Sequence, residues 1–305
     1  MKESGQFHLE ILSKISDVTA PEWNGLLTED SGPFLKHEFL SSLEETGCVG
    51  NNTGWQIAHL VLKLDKAIVG AIPLYLKQHS YGEYVFDWSW AQAYEQQGMN
   101  YYPKVLCAIP FTPVQGSRLL SKPGMDKELI YSKLISGLKS LVINNELSSA
   151  HILFPQKDEL GILNTQGFLL RDSVQFHWHN QGYQSFEQFL SSLTMKRRKN
   201  IRREREFVAR QNISFRHISG KESTDQDWEF FYACYASTYY EHQSQPYLNE
   251  AFFKLWAKRL PENTHLIVAE RNGAPIASSL LVIDAVMSKA YGRYWGTLEQ
   301  DRKST

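Results

Sequence analysis

Eight of the chain's 32 lysines and arginines fall in one stretch, MKRRKNIRREREFVAR, from Met195 to Arg210, although all 305 residues together carry a net charge of −1. Only Glu204 and Glu206 oppose them there, so Lys196, Arg197, Arg198 and Arg202, with the amide of Asn200, have the chemistry to bind an anion. Such a run is either a solvated face or a seat for phosphates or nucleic acid. On a helical wheel begun at Phe189, the residues Phe189, Leu190, Leu193, Ile201, Phe207 and Val208 share an arc of about 120°, a core-facing stripe that also contains Arg197, Asn200 and Glu204. A guanidinium on an inner face needs a partner. Arg197 is therefore expected either to pair with Glu204 two turns on or to hold a ligand. Thr194 is placed to cap a second helix without changing that relation.

A second place for an anion is the turn Val114-Gln115-Gly116-Ser117-Arg118. It follows the apolar run VLCAIPFTPV (Val105 to Val114) and precedes a helical stretch from Lys127 to Asn144. A strand, a glycine-containing turn and a helix leave free N–H groups at the helix entrance, which suits phosphate. With one glycine, Gly116 equally serves as a plain turn after Pro113.

The elements that must position these residues follow from periodicity. QFHLEI at Gln6 to Ile11 alternates as a strand does, Pro21 to Leu27 reads as a short helix, and Phe34 to Thr46 as a longer one with Phe39, Leu40 and Leu43 inward. HLVLKLDKAIVGAIPLYLK at His59 to Lys77 reads as a hairpin turning at Asp65-Lys66. Further on come strands at His151 to Pro155 and Gly167 to Arg171. The series then repeats: QFHW (Gln175 to Trp178) echoes QFHL, PYLNEAFFKLW (Pro246 to Trp256) echoes PFLKHEFLSSL (Pro33 to Leu43), and HLIVAERNGAPIASSLLVI (His265 to Ile283) echoes the first hairpin, turning at Asn272-Gly273. Three echoes in the same order indicate an internal duplication of an α/β unit. We expect a mixed-sheet α/β protein with units at 1–172 and 173–305. By the logic of the repeat the second is short of its C-terminal part.

Composition (42% apolar, 13% aromatic, 21% charged) is that of a globular, enzyme-sized protein. Neither a signal-peptide stretch nor a run of about 18 apolar residues is present, so the expected location is the cytoplasm. Cys48, Cys107 and Cys234 are too few and too scattered for a disulfide framework or a CxxC site. His177 and His179 flank Trp178 without acidic or thiol companions, and no metal site is expected.

The order hairpin, IPFTPV, QGSR turn, helix, HILFP, helix resembles the core of the GNAT acyltransferase fold. Its doubling, with KRRKNIRRER leading the second copy, resembles the Fem-type tandem-GNAT proteins, and within these the FemAB-like N-acyltransferases. The resemblance rests on DWSWAQAY at Asp87 to Tyr94, IPFTPV at Ile109 to Val114, Lys196 to Arg205, and YGRYWG at Tyr291 to Gly296, which includes Arg293. It implies transfer of an acyl or aminoacyl group to an amine. The donor would be acyl-CoA, its pyrophosphate at Val114 to Arg118, or aminoacyl-tRNA; the acceptor would be a small amine or a peptidoglycan-precursor-like molecule. Arg293, Lys196, Arg197, Arg198, Asn200 and Arg202 would bind substrate phosphates. Two departures stand out: QGSR has fewer glycines than the usual GNAT loop, and the second unit is short.

Aminolysis of an ester or thioester needs a neutral amine, a proton acceptor and donors for the tetrahedral oxyanion. Backbone amides near Phe111 to Val114 would form the oxyanion site. Asp87 and Glu241 are the candidate bases, and Tyr94 and Tyr240 the candidate acids for the leaving group. Asp87 could instead cap a turn and Glu241 face solvent. The aromatic loop Tyr81 to Tyr102, with eight aromatic residues, either lines the acceptor cleft or covers the sheet. Two rivals remain: a non-catalytic RNA- or phosphate-binding protein driven by the basic helix, and an inactive acyltransferase fragment.

Overall fold

The computed structural model describes residues 5–299. In chain order the elements are β1 (Phe7–Leu12), α1 (Ala20–Asn24), α2 (His37–Glu45), β2 (Trp55–Ile57), β3 (His59–Leu64), β4 (Ala67–Ile72), β5 (Leu74–Lys77), α3 (Trp88–Gln96), β6 (Lys104–Cys107), β7 (Leu120–Ser121), α4 (Lys127–Asn144), β8 (Ala150–Ile152) and α5 (Lys157–Thr165). There follow α6 (Phe186–Ser192), α7 (Met195–Arg210), β9 (Ile213–Ser219), α8 (Asp225–Glu241), α9 (Glu250–Arg259), β10 (Thr264–Arg271), β11 (Ala274–Asp284) and β12 (Lys289–Thr297). The strands form three four-stranded sheets, β1-β3-β4-β7, β2-β5-β6-β8 and β12-β11-β10-β9. Among the described residues only β6 and β8 run parallel. The mixed α/β architecture is the one read from the sequence.

Caps and periodicity place the helices. Asp126 accepts the Leu129 amide at the start of α4, whose inner face (Ile130, Leu134, Leu138, Leu141) lies on the first sheet. At α8 Thr224 and Asp227 form a capping box.

The duplication is visible as β1-β3-β4 with α1 and α2, against β9-β10-β11 with α8 and α9. The echoing helices pack on each other. Phe39 of α2 sits edge-on to Phe252 (5.7 Å) and Trp256 (5.0 Å) of α9. Arg259 reaches back to Glu45 at 2.8 and 2.9 Å. One hydrophobic core therefore runs from Leu12 to Val282 through both units.

Three sequence expectations change. QFHW forms no strand; residues 172–180 carry no regular structure, and β9 takes the part of β1. GFLLR likewise forms no strand. VLCAIPFTPV is a strand only to Cys107, because Pro110 and Pro113 cannot donate to a ladder and Phe111 adopts φ +56°. The echo of the hairpins also hides a one-residue change of face: His59 packs against Trp23 on the helix side. His265 instead alternates with the core residues Leu266 and Val268 and meets His217.

Candidate functional site

The third sheet supplies the cleft's charged group through an irregularity. Along β11 and β12, Leu280 pairs with Tyr294 and Leu281 with Gly292, so Arg293 is the extra residue of a bulge. Ordinary alternation sends neighbours to opposite faces, and a bulge re-aims one of them. Here Arg293 and Tyr294 converge on one acceptor. The Phe111 carbonyl takes hydrogen bonds from Arg293 Nη2 (2.6 Å) and the Tyr294 hydroxyl (3.2 Å), and Nη2 also reaches that hydroxyl at 2.9 Å.

Phe111 is held in its unusual conformation from both sides. Its ring stacks on Tyr247 (5.4 Å) and leans on Trp55 (5.2 Å). Gly82 lies flat against it, where a β-carbon would come within 2.6 Å of the ring. Beside Arg293 opens a cleft of about 280 Å³ whose wall includes Thr238, Tyr239, His242, Tyr294 and Trp295. Tyr84, also at positive φ, has its hydroxyl within reach of Tyr239, Tyr294 and Arg293. Burial pushes the Tyr84 hydroxyl well above its ordinary pKa, reinforced by Tyr294 and Tyr239 and opposed by Arg293.

Behind Trp55 is a second group of charges, sealed inside the first unit. Lys77 of β5 and Lys104 of β6 face each other in register, and both are fully buried. Lys104 binds Glu83 at 2.9 Å and Asp87 at 2.5 Å, with Ser80 at 3.0 Å. Lys77 donates to the Tyr81 carbonyl (3.2 Å) and lies 3.7 Å over the Trp55 ring. Burial lowers the Lys77 ammonium to about 7 against the attraction of Glu83. Burial pushes the Asp87 carboxyl up, but hydrogen bonds from Lys104, Ser80 and Tyr101 outweigh it and hold Asp87 below the ordinary value. An ionised, paired carboxylate of that kind is a poor proton acceptor. Its place just before α3 comes without a side-chain cap.

The other expected site residues are dispersed. Tyr94 packs edge-on against Tyr101, 5.2 Å away, and Tyr101 donates to Asp87 at 2.7 Å, so these two belong to the sealed group rather than to the cleft. Tyr240 and Glu241, at the end of α8, face solvent; the residue that enters the cleft is Tyr239, one position earlier.

The turn at Val114 to Arg118 differs from a phosphate seat. The amide of Val114 donates to Thr112 and that of Gly116 to Phe154, while those of Arg118 and Leu119 both donate to Glu159 at 2.7 Å. Gln115 holds the Pro155 carbonyl and Ser117 is buried. Arg118 is itself fully buried, bonding the carbonyls of Leu153, Val114 and Ser117. Moreover α4 starts nine positions later, after β7; the helix beside the turn is α5, whose Glu159 carboxylate takes the Arg118 and Leu119 amides. Where these amides were expected free, the glutamate Glu159 has taken the anion's place.

The basic helix also sits differently. The chain breaks at Leu193 and restarts at α7 under a Thr194 cap, and no residue of α7 is fully buried. Arg197 and Glu204 face solvent and do not pair with each other, while Arg198, Asn200, Ile201 and Val208 are half-buried. The wheel assumed one continuous helix, and the break rotates its inner face. Lys196, Lys199, Arg202 and Arg203 are exposed; Arg202 pairs with Glu187 at 2.6 Å and Arg205 lies over Phe186.

Sequence reasoning missed Lys77, Lys104, Glu83, Tyr84, Tyr239 and His242. The strand-end strings LYLK and YPKV, each setting a lysine against an apolar run, were the available signal for the first pair. Among the described residues no cluster of His, Cys, Asp and Glu could hold a metal ion, and no helix is long and apolar enough to cross a membrane.

The sequence pattern of the FemAB-like family, described as peptidoglycan biosynthesis and recognition, matches residues 14–303. The chain belongs to the FemAB-like family. FemX shares the fold: its crystal structure matches 93% of this chain and 80% of its own at a TM-score of 0.50 and 12% identity. Looser matches, too distant to bear on the argument, are a tandem GNAT protein of the clavulanic acid pathway (97% of this chain, 76% of that one, 10% identity, TM-score 0.37) and an aminoglycoside acetyltransferase from an uncultured soil metagenomic sample (57% and 97%, 16%, 0.34). A search by sequence against curated proteins found no match. Membership places this FemAB-like chain in a family of peptidoglycan biosynthesis and recognition.

Proposed function

We propose that the cleft beside Arg293 is the reaction site of a cytoplasmic N-acyltransferase. An amine of a peptidoglycan-precursor-like acceptor would attack the carbonyl of acyl-CoA or aminoacyl-tRNA, forming an amide and releasing the thiol or the tRNA hydroxyl. The observation that carries this reading is the bulged Arg293. It is fixed to Phe111 by Nη2, and its side chain also lines the cleft. A guanidinium has five donors, and Nη1 and Nε hold no partner among the described residues, leaving them for an anionic substrate group.

Within the cleft His242 is the group suited to take the amine proton, and Tyr239 the group suited to hydrogen-bond the tetrahedral oxygen. Asp87 and Lys104 would act at one remove, fixing the loop that delivers Tyr84. Basic α7 would take the polyanionic part of the donor. A second reading, RNA binding without turnover, is favoured by one observation: of the eight basic side chains of α7 only that of Arg198 is even half-buried.

The test is a titration with acetyl-CoA and with an aminoacyl-tRNA at low and moderate salt, followed by a turnover assay. Binding and turnover lost in Arg293→Met would support the cleft. Salt-sensitive tRNA binding that survives Arg293→Met, with no turnover in the parent protein, would replace this reading with the second.

A further inference from the structure

The stretch from Leu169 to His179 has the pattern of a strand but no strand to pair with. Val174, Phe176 and Trp178 alternate with Gln175, His177 and His179, and the three apolar side chains are 81%, 98% and 65% exposed. Of the intervening polar residues, Gln175 reaches back to donate to the Pro113 carbonyl at 2.7 Å, and His177 meets Gln175. Among the described residues, no main-chain amide or carbonyl from 169 to 184 bonds another main-chain group. Main chain that is unpaired and carries alternating exposed apolar side chains is a template for strand addition.

We propose that this segment pairs with the same segment of a second copy of the chain, antiparallel about Phe176. The occupant follows from the side chains. In that register Val174 faces the second copy's Trp178 and Phe176 faces itself, so every apolar residue of the row meets another. Asp172 faces Asn180 at each end of that row, a carboxylate opposite a carboxamide donor. On the other face Ser173 meets His179 and Gln175 meets His177, each a hydroxyl or amide opposite an imidazole, and no like charges oppose. A shift of one residue would set Val174 against His177 or His179, and a shift of two would leave Trp178 opposite Asp172 or Val174 opposite Asn180. Along the apolar row, four aromatic rings, two from Phe176 and two from Trp178, then meet apolar neighbours across the pair, the cross-strand contacts that stabilise a sheet. A pairing of like with like across a two-fold axis closes on itself, giving a dimer rather than a fibre. The proposal concerns a surface apart from the cleft and does not depend on the acyl-transfer reading.

The register is testable by thiol pairing, because Cys48, Cys107 and Cys234 are all buried. Facing residues of an antiparallel pair lie within the Cα separation a disulfide spans. In the full chain, Phe176→Cys should give a covalent dimer under mild oxidation roughly tenfold faster than Phe86→Cys, a control at a similarly exposed site (77%). Ser173→Cys and His179→Cys, mixed, should link to each other and not to themselves. Sedimentation equilibrium of the unmodified protein should show a dimer, lost in Phe176→Pro. An unmodified protein that stays monomeric at tens of micromolar, or a residue-176 thiol that links no faster than the residue-86 thiol, would overturn the proposal. Because every cysteine replaces an exposed side chain, folding is checked by circular dichroism of the same samples.

Discussion

The guanidinium of Arg293 and the carbonyl oxygen of Phe111, 182 positions apart in sequence, meet at 2.6 Å and join the two units at the edge of the cleft. A hydrogen bond from a charged donor contributes about 1.5–3 kcal/mol, so Arg293→Met should lower the urea stability by about that amount. If the free donors also hold substrate, kcat/KM should fall by roughly ten- to a hundredfold beyond the stability effect. Arg293→Lys should keep part of the charge interaction and lose the forked geometry. Equilibrium unfolding beside initial-rate kinetics separates the two consequences.

Lys104 compensates two carboxylates inside the first unit. Removing one partner of a buried ion pair costs about 3–5 kcal/mol, and Lys104→Met is expected in that range by denaturant unfolding. Adding Glu83→Gln and Asp87→Asn to that variant should recover much of the loss, since no uncompensated charge is then left. An Asp87→Ala protein whose turnover drops only in proportion to its folded fraction would mark Asp87 as a support for its loop rather than a proton acceptor.

Stability should rise with pH in two windows. The Lys77 ammonium is lowered to about 7, so between pH 7 and its ordinary value the unfolded chain binds a proton that the folded one does not. Stability therefore increases across that window, by at most about 1.4 kcal/mol per pH unit, and the slope vanishes below it. His151 is lowered to about 4, by burial first and then by Lys104, which adds a rise between pH 4 and 6.5. Urea midpoints from pH 4 to 9 would show both rises in the parent protein and only the lower one in Lys77→Met.

The exposed face of α7 should matter for charge and not for folding. Replacing Lys196, Arg197, Lys199 and Arg203 by Ala is expected to leave stability within about 0.5 kcal/mol per site. Any affinity for RNA should fall, and the slope of log K against log salt should flatten by about 0.7 for each contact removed. Fluorescence anisotropy with a labelled tRNA at several salt concentrations measures both.

Much of the fold was legible because it is written in period and repetition. Phe39, Leu40 and Leu43 announce α2, and the Asn272-Gly273 turn announces the second hairpin. The site was less legible, for reasons that are geometric. Tyr240 was chosen where Tyr239 enters the cleft, because a helix turns 100° per residue and the sequence does not say which side its neighbours occupy. The turn Val114 to Arg118 looked open because the carboxylate that closes it, Glu159, lies some forty positions downstream. Nothing local marks Lys77 and Lys104, at the ends of β5 and β6, as buried, because the carboxylates that compensate Lys104, Glu83 and Asp87, come from a loop that folds back over them. Arg293 lies within YGRYWG, a string that carries the family resemblance, but the strand it forms and the bulge that sets its direction are not forecast by alternation.

That bulge makes the cleft's charge a matter of counting. Deleting Gly292 would let β12 pair with β11 without the extra residue: Arg293 would take the glycine's place opposite Leu281, on the face away from Tyr294, while Tyr291 kept its partner Val282. The protein would keep Arg293 and its net charge, yet the guanidinium would point away from Phe111. A length change of one glycine would thus silence the site as thoroughly as removing the arginine, and variation in strand length at this place is as telling as variation in residue type.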